Sequence, residues 1–420
     1  MTMKTITFIF LFTLSGAIFS QTWTLQTSPG PTSRTLFSCS VVDTNVCWMC
    51  ADTSLVIRTT NGGANWTVVS TSLSAGNLYD IYATDANHAW TGGDDGSIYY
   101  TTNGGANWSF AVPNPTTAFI DGIHMFNNSI GFAVGDPPAN YGTWTYYITT
   151  NGGATWTHGL NSPPAGNSEG GFNNCIWAID TSHVYWGGNT SKIYVGGFKG
   201  PITSVTTPLG NIYGVAFENA NTGLIMGSAV TYRTTNAGVN WAQVTTSQGG
   251  YGLSQAPSYT AYYWIGKGNG VPGGIYRSVD DGATFTAQLT GHHIFSLAMG
   301  NVQIGWAGCD SGRIFRYTST DPIEVKKIST ELPGNYSLSQ NYPNPFNPST
   351  TIRFSVPLTN LVTITVYDIL GNKVATVLNK IMLAGSYETE FNASNLSSGV
   401  YFYTITAGEF KDSKKMILTK

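Results

Sequence analysis

The chain has 420 residues, 13% of them aromatic and only 10% charged, with 49 Gly, 23 Tyr and 12 Trp. Disorder goes with few aromatics and much charge, so this composition excludes a disordered chain and suits short strands joined by tight turns. The net charge is −3, and residues 21–320 carry nine Lys/Arg against fourteen Asp/Glu. With no basic patch in view, nucleic acid is excluded as a partner.

Lys4 precedes an apolar run from Ile6 to Phe19, and Ser20–Gln21 is a cleavage point. This is the layout of a secretory signal peptide over residues 1–20, too short to span a bilayer as a mature helix. No other stretch reaches about 18 apolar residues, so no transmembrane segment is expected in the mature chain. Five cysteines follow, Cys39, Cys47, Cys50, Cys175 and Cys309. Cys47 and Cys50 form a CxxC with no second pair at zinc-binding spacing, so they are expected as buried thiols and no metal site is assigned.

Residues 21–320 are built on a repeat. TTNGGANW at 59–66 recurs unchanged at 101–108, with TTNGGATW at 149–156, TTNAGVNW at 234–241 and SVDDGATF at 278–285. The starts differ by 42, 48, 85 and 44 residues, and the double interval holds a degenerate copy at 185–197. Upstream halves such as AWTGGDDGSIYYTT repeat as well, giving seven units near residues 36, 78, 120, 173, 212, 255 and 294. A period of about 40–45 residues with four short strands per unit predicts propeller blades. The glycines and asparagines of each turn supply the positive φ of a tight hairpin, and the following aromatic is expected to bury its ring between strands of its blade. The last unit lacks an outer strand after Tyr317, while WTLQTS at 23–28 is an outer strand without a blade. The N-terminal segment is therefore expected to close the ring, beside Phe315 and Tyr317, and to remove an exposed edge.

After a polar, proline-containing linker at 321–335, alternating runs at 350–357, 361–368, 372–378, 386–392 and 400–408 predict half-buried strands. Residues 336–420 thus form a second domain, a small β-sandwich. The expected fold class is all-β, a seven-bladed β-propeller followed by that sandwich.

Both parts resemble known families. The turn pattern S/T-x-N/D-x-G-x-x-W resembles the Asp-box of sialidase-like, or BNR, repeats. Its positions here are Asn61, Gly63 and Trp66; Asn103, Gly105 and Trp108; Asn151, Gly153 and Trp156; Asn236, Gly238 and Trp241; and Asp280, Gly282 and Phe285. The longer unit GFAVG…YYITTNGGATW is closer to propellers of the photosystem II assembly and stability factor type. NYSLSQNYPNPFNPSTTIRFSVP at 335–357, VYDILGNKVATV at 366–377, LSSGVYFYTI at 396–405 and KKMILTK at 414–420 resemble the type A sorting domain of the type IX secretion system. That resemblance implies recognition by the type IX machinery, cleavage near the linker, and release from or attachment to the surface of a Gram-negative cell.

Catalytic chemistry is harder to place. Sialidase activity needs an arginine cluster and a Tyr–Glu pair. Arg58, Arg233 and Arg277 instead fall one per blade before the turn, and Glu169 and Glu218 are the only glutamates in 21–320. Asp80 and Asp121 start inner strands of neighbouring blades, but their registers differ by one. Asp52, Asp94, Asp136 and Asp310 recur at one loop position that suits turn capping. Adjacent His292 and His293 would face opposite ways on a strand. No catalytic residue and no cofactor is assigned. Phe37, Tyr79, Tyr213 and Phe295 occupy equivalent positions leading into inner strands, with Asp121 and Asn174 there in other blades. This ring, with Asp80, is the candidate binding face for a glycan or protein ligand, and packing between blades is the competing account of it. A binding or adhesion propeller comes first; an extracellular glycan hydrolase and an assembly factor for an envelope complex are the alternatives.

Overall fold

The computed structural model describes residues 21–420 apart from 30–33, 71–72, 74–75, 112–118, 139–141, 160, 167, 245–248, 257–260, 269–272, 320–324, 330–332, 359 and 383–384. The leader expected at 1–20 lies outside the described residues. Each repeat folds into four antiparallel strands, because short apolar runs alternate with turns that Gly, Asn or Asp make without strain. In the second blade these strands are Leu78–Ala83, Ala89–Gly93, Ile98–Thr101 and Ser109–Ala111, paired in that order. Six further sheets of this kind begin with inner strands Leu36–Val41, Ile120–Met125, Ile176–Asp180, Gly214–Phe217, Gly252–Gln255 and Ile294–Asn301. The seventh is completed by Gln21–Gln26, which pairs with Ile314–Ser319. Trp23 stands opposite Tyr317 and Leu25 opposite Phe315, and the Trp23 and Tyr317 rings lie 5.1 Å apart.

One hydrogen-bond pattern recurs at the turns. Thr59 Oγ1 accepts the Gly63 amide at 2.9 Å, and Asn61 Oδ1 accepts the Asn65 amide at 2.9 Å. The same pair of bonds forms around Asn103, Asn151, Asn236 and Asp280. Asn serves as well as Asp because the turn uses one side-chain oxygen and no charge. Gly63 has φ +81°, and a Cβ there would stand 2.3 Å from Gln26 Oε1, so this turn packs directly on the closing strand.

The aromatic after each turn reaches further than its own blade. Trp66 packs in one cluster with Ile304, Trp306 and Ile314 of blade seven. Trp156 packs with Trp90 and Ile98 of blade two, and Trp108 donates Nε1 to Val69 O of blade one at 2.6 Å. Trp66 also packs with Met49 and Ile57 of its own blade, and Trp156 with Ala133 and Tyr147. The expectation of packing within a blade is thereby extended: the twist of each sheet turns its outer hairpin onto the preceding blade. A second set of large rings, Trp48, Trp90, Trp264 and Trp306, is fully buried on the second strands. Arg58, Arg277 and Arg316 pair across the ladder with Trp48, Trp264 and Trp306 and lie over their rings at 5.0–5.6 Å. Such contacts contribute about 0.5–2 kcal/mol each. Arg58 then reaches Ala86 O of the next blade at 2.6 Å, and Arg233, which stands opposite Leu224 at the same repeat position, reaches Asp281 O of its next blade at 2.7 Å. These arginines staple neighbouring blades.

The C-terminal domain packs two four-stranded sheets face to face. One orders Lys326–Ser329, Gly385–Asn392, Ser349–Val356 and Ser337–Leu338; the other orders Lys373–Met382, Asn360–Tyr367, Gly399–Ala407 and Phe410–Leu418. Ile352, Phe354 and Tyr387 of the first share a core with Ile364, Val366, Tyr403 and Ile405 of the second. Lys326–Ser329, within the segment expected as linker, is drawn in as an edge strand beside Gly385–Asn392.

Candidate binding face of the propeller

The inner strands do not begin with a regular ladder. Between first and second strands the register shifts at Leu36/Ser38, Leu78/Asp80, Ile120/Gly122 and Ile294/Ser296. The residues skipped are Phe37, Tyr79, Asp121 and Phe295. A bulge frees its residue from pairing and re-aims the side chain, here at one mouth of the central channel. Tyr213 and Tyr251 hold the matching place in blades five and six, their amides donating to Met226 O at 2.7 Å and Gly266 O at 3.0 Å. Asn174 does so in blade four, at φ 59°.

The rings join into two arcs. Phe37 meets Tyr79 at 5.6 Å edge-on, and Tyr79 meets Phe119 at 5.8 Å. Across the mouth, Phe172, Tyr213, Tyr251 and Phe295 follow one another at 4.3, 5.3 and 5.3 Å, the last pair stacked. None of the seven rings is fully buried. Edge and stacked pairs stabilise one another by about 0.5–1.5 kcal/mol, which holds the rim rigid while leaving ring surface open to solvent.

Between the arcs, at blades three and four, the rim turns polar. Gly171 donates its amide to Asp136 Oδ1 at 2.7 Å, and a Cβ on Gly171 would stand 2.4 Å from Asp121 Oδ2, so a larger residue would displace the Asp121 carboxyl. Asp121 is 7% exposed and its Oδ2 has no hydrogen-bond partner. Burial, with the neighbouring charges of Asp136 and Asp80, pushes it well above the usual carboxylate range. The segment that carries Gly171 is pinned by Glu169, which accepts from Lys192 Nζ at 2.8 Å, Tyr194 Oη at 2.6 Å, Trp144 Nε1 at 3.0 Å and Thr190 Oγ1 at 3.1 Å. Burial would raise Glu169, but these donors outweigh it and hold the carboxyl at about 2. Below the rim lies a cavity of about 1020 Å³ lined by Cys39, Asp80, Ile123, Asn174, Leu253 and Leu297 among others.

Asp80 and Asp121 do not form a solvent-facing pair. Asp80 is 2% exposed and accepts from Ser38 Oγ, Ile81 N and Ile123 N at 2.6, 2.8 and 2.6 Å. Burial raises it to about 6 against these bonds. It ties three blades together, whereas Asp121 sits one residue earlier, at the bulge. The recurring aspartates face strand starts: Asp52 takes Arg34 at 3.0 Å, Asp94 the Asn77 amide at 2.9 Å, and Asp310 His293 at 3.1 Å. His292 faces Arg313 instead. All five cysteines are free and buried, burial pushing Cys39, Cys175 and Cys309 to about 12. Among the described residues, no group of three His, Cys, Asp or Glu side chains is placed to hold a metal ion.

Sequence reasoning placed Phe37, Tyr79, Tyr213 and Phe295 on this rim and missed Phe119, Phe172 and Tyr251. Tyr251 was legible as GGYG ahead of an inner strand, but setting the sixth unit at 255 rather than 252 put it out of register.

Comparison with known proteins agrees with both halves of this picture. Residues 340–419 match the family described as secretion system C-terminal sorting domain, and residues 13–158 match that of photosynthesis system II assembly factor YCF48. No curated protein matches the chain. Among solved structures, YCF48 bound to D1 peptide is similar at 14% identity and TM-score 0.55, over 71% of this chain and 96% of that one. YCF48 from Cyanidioschyzon merolae follows at 18% and 0.53, over 71% and 99%, and a streptogramin B lyase at 11% and 0.52, over 72% and 98%. At such identities the likeness is one of fold. The chain therefore joins a propeller similar to those of YCF48 to a domain similar to the C-terminal sorting domains of a secretion system.

Proposed function

We propose that this protein is a binding module exported through the type IX secretion system, released or held at the cell surface, whose propeller rim captures a glycan. The observation that carries this reading is the pair of aromatic arcs, part-exposed around one mouth and interrupted by a polar notch. Sugars present C–H faces that pack on such rings, and their hydroxyls donate hydrogen bonds to carboxylates such as Asp94 and Asp136 and accept them from side-chain amides such as that of Asn174. The hydrolase alternative draws no support from the carboxylates, since Asp80 and Asp121 are both buried.

A peptide ligand is the second reading, favoured by the similar propeller that is described with a bound peptide. The test is a glycan and polysaccharide array with the full secreted chain, a peptide array beside it, and a product assay on every hit. Replacing Tyr213 and Tyr251 together by Ala should weaken glycan binding about 10–100-fold with folding unchanged, as aromatic anchors do. Full binding by the double variant would refute the rim, and a released sugar product would turn the reading to a hydrolase. Deleting 336–420 should leave the propeller in the periplasm.

A further inference from the structure

The C-terminal sandwich buries most of its apolar residues between its sheets, yet large aliphatics, Leu358, Leu361, Ile369 and Leu370 among them, stand out in water, and the last two are adjacent. Ile369 is 71% exposed and Leu370 81%. They form the tip of the hairpin that joins Asn360–Tyr367 to Lys373–Met382. Single exposed hydrophobics are ordinary and need no account. This tip differs because it is locked. Asp368 Oδ1 accepts the amides of Leu370 at 2.8 Å and Asn372 at 2.9 Å, and Asp368 Oδ2 accepts Asn372 Nδ2 at 2.9 Å. The Asp368 amide donates to Asn372 O at 3.0 Å and that of Gly371 to Asp368 O at 3.1 Å, with Gly371 at φ +83°. Five bonds thus fix a turn whose outermost side chains stand in solvent.

The sheet beside the tip continues the pattern. Tyr367 pairs with both Lys373 and Phe402, and Phe402 pairs with Lys415. Directly paired residues share a face, so the row reads Lys373, Tyr367, Phe402, Lys415, with Phe402 40% exposed. A rigid apolar knob beside two aromatics flanked by lysines loses little conformational entropy on docking. Its complement is an apolar pocket with carboxylates on its rim.

We infer that Ile369 and Leu370 are the knob by which this domain docks on a protein of the secretion machinery, in an apolar pocket whose acidic rim meets Lys373 and Lys415. The inference rests on reading 340–419 as an export signal, which the family match supports. The machinery is the occupant because a sorting domain must be read by its secretion system, and the knob is preformed and solvent-facing.

The test is export of the full chain in a cell with type IX secretion. Ile369→Ser/Leu370→Ser should cut secretion at least ten-fold, with full-length protein held in the periplasm and a thermal midpoint equal to that of the wild type. Lys373→Glu/Lys415→Glu should lower it several-fold, and Asp368→Ala, which loosens the turn without touching the knob, by a similar factor. Normal export of the Ser/Ser variant while the 336–420 deletion is retained would overturn the knob and leave the export reading standing. Export of the deletion itself would overturn both. Ser/Ser-sensitive binding of the wild-type chain to phosphatidylglycerol vesicles would assign the knob to a lipid surface and overturn the protein pocket.

Discussion

Asp80→Ala removes one carboxylate that joins three blades. Ser38 Oγ of blade one, Ile81 N of blade two and Ile123 N of blade three all donate to it, at 2.6, 2.8 and 2.6 Å. Each stranded buried donor costs about 1–3 kcal/mol, so a loss of about 3–5 kcal/mol is expected where Asp80 is protonated. The pH dependence sharpens this. Burial raises the folded-state pKa from 3.8 to about 6, so between those values the folded chain keeps a proton that the unfolded chain has released. Stability from this group is therefore highest at low pH, falls as pH rises through the window and is flat above it. A shift of this size makes the wild type lose about 2 kcal/mol from Asp80 between pH 4.5 and pH 7. Urea titrations of wild type and variant at both pH values measure the difference. The variant's deficit should be larger by about 2 kcal/mol at pH 4.5. A deficit equal at both pH values, or below about 1 kcal/mol at each, would refute the reasoning.

Trp23→Ala opens the closing strand: losing a part-buried ring that packs on Tyr317 should cost about 2–3 kcal/mol and speed amide exchange across Ile314–Ser319. Unchanged protection there would show that the seventh blade stands without it. Glu169→Gln keeps the shape but removes the anion that Lys192 and three other donors address, at about 1–3 kcal/mol. Protease cleavage within 161–171 should rise while the global melt hardly moves. The depressed Glu169 contributes stability above pH about 4.5, lost as pH falls towards about 2, so the wild-type segment should become equally cleavable only in strong acid. Equal cleavage of variant and wild type at pH 7 would refute the anchor.

Much of the fold was legible because a repeat writes the same physics several times. Seven strand repeats with five copies of the turn, and a missing outer strand at one end matched by a spare at the other, predicted the closed ring and the Trp23–Tyr317 pairing. The candidate rim was half legible. Phe37, Tyr79, Tyr213 and Phe295 share a repeat position, but Phe119 and Phe172 lie in segments of irregular length, where no period says which residue faces the mouth. The inter-blade roles of Trp66, Trp108 and Trp156 were hidden for a different reason: a blade's own pattern carries no record of how its neighbour is rotated. The stapling by Arg58 and Arg233 was hidden in the same way.

Sequence alone determined the number of blades, the turn chemistry, the closing strand and the second β-domain, since each follows from local periodicity and the φ preferences of Gly and Asn. Only the tertiary structure decided what the carboxylates do. Asp80 and Asp121 are one register step apart, and a single bulge separates a carboxyl bonded to two amides and a hydroxyl from one whose Oδ2 has no partner. A bulge depends on the pairing of two strands rather than on either strand's composition. The part-exposed rings around the channel and the locked tip at Ile369 and Leu370 are of the same kind, because exposure is what remains after every other surface has found its contact.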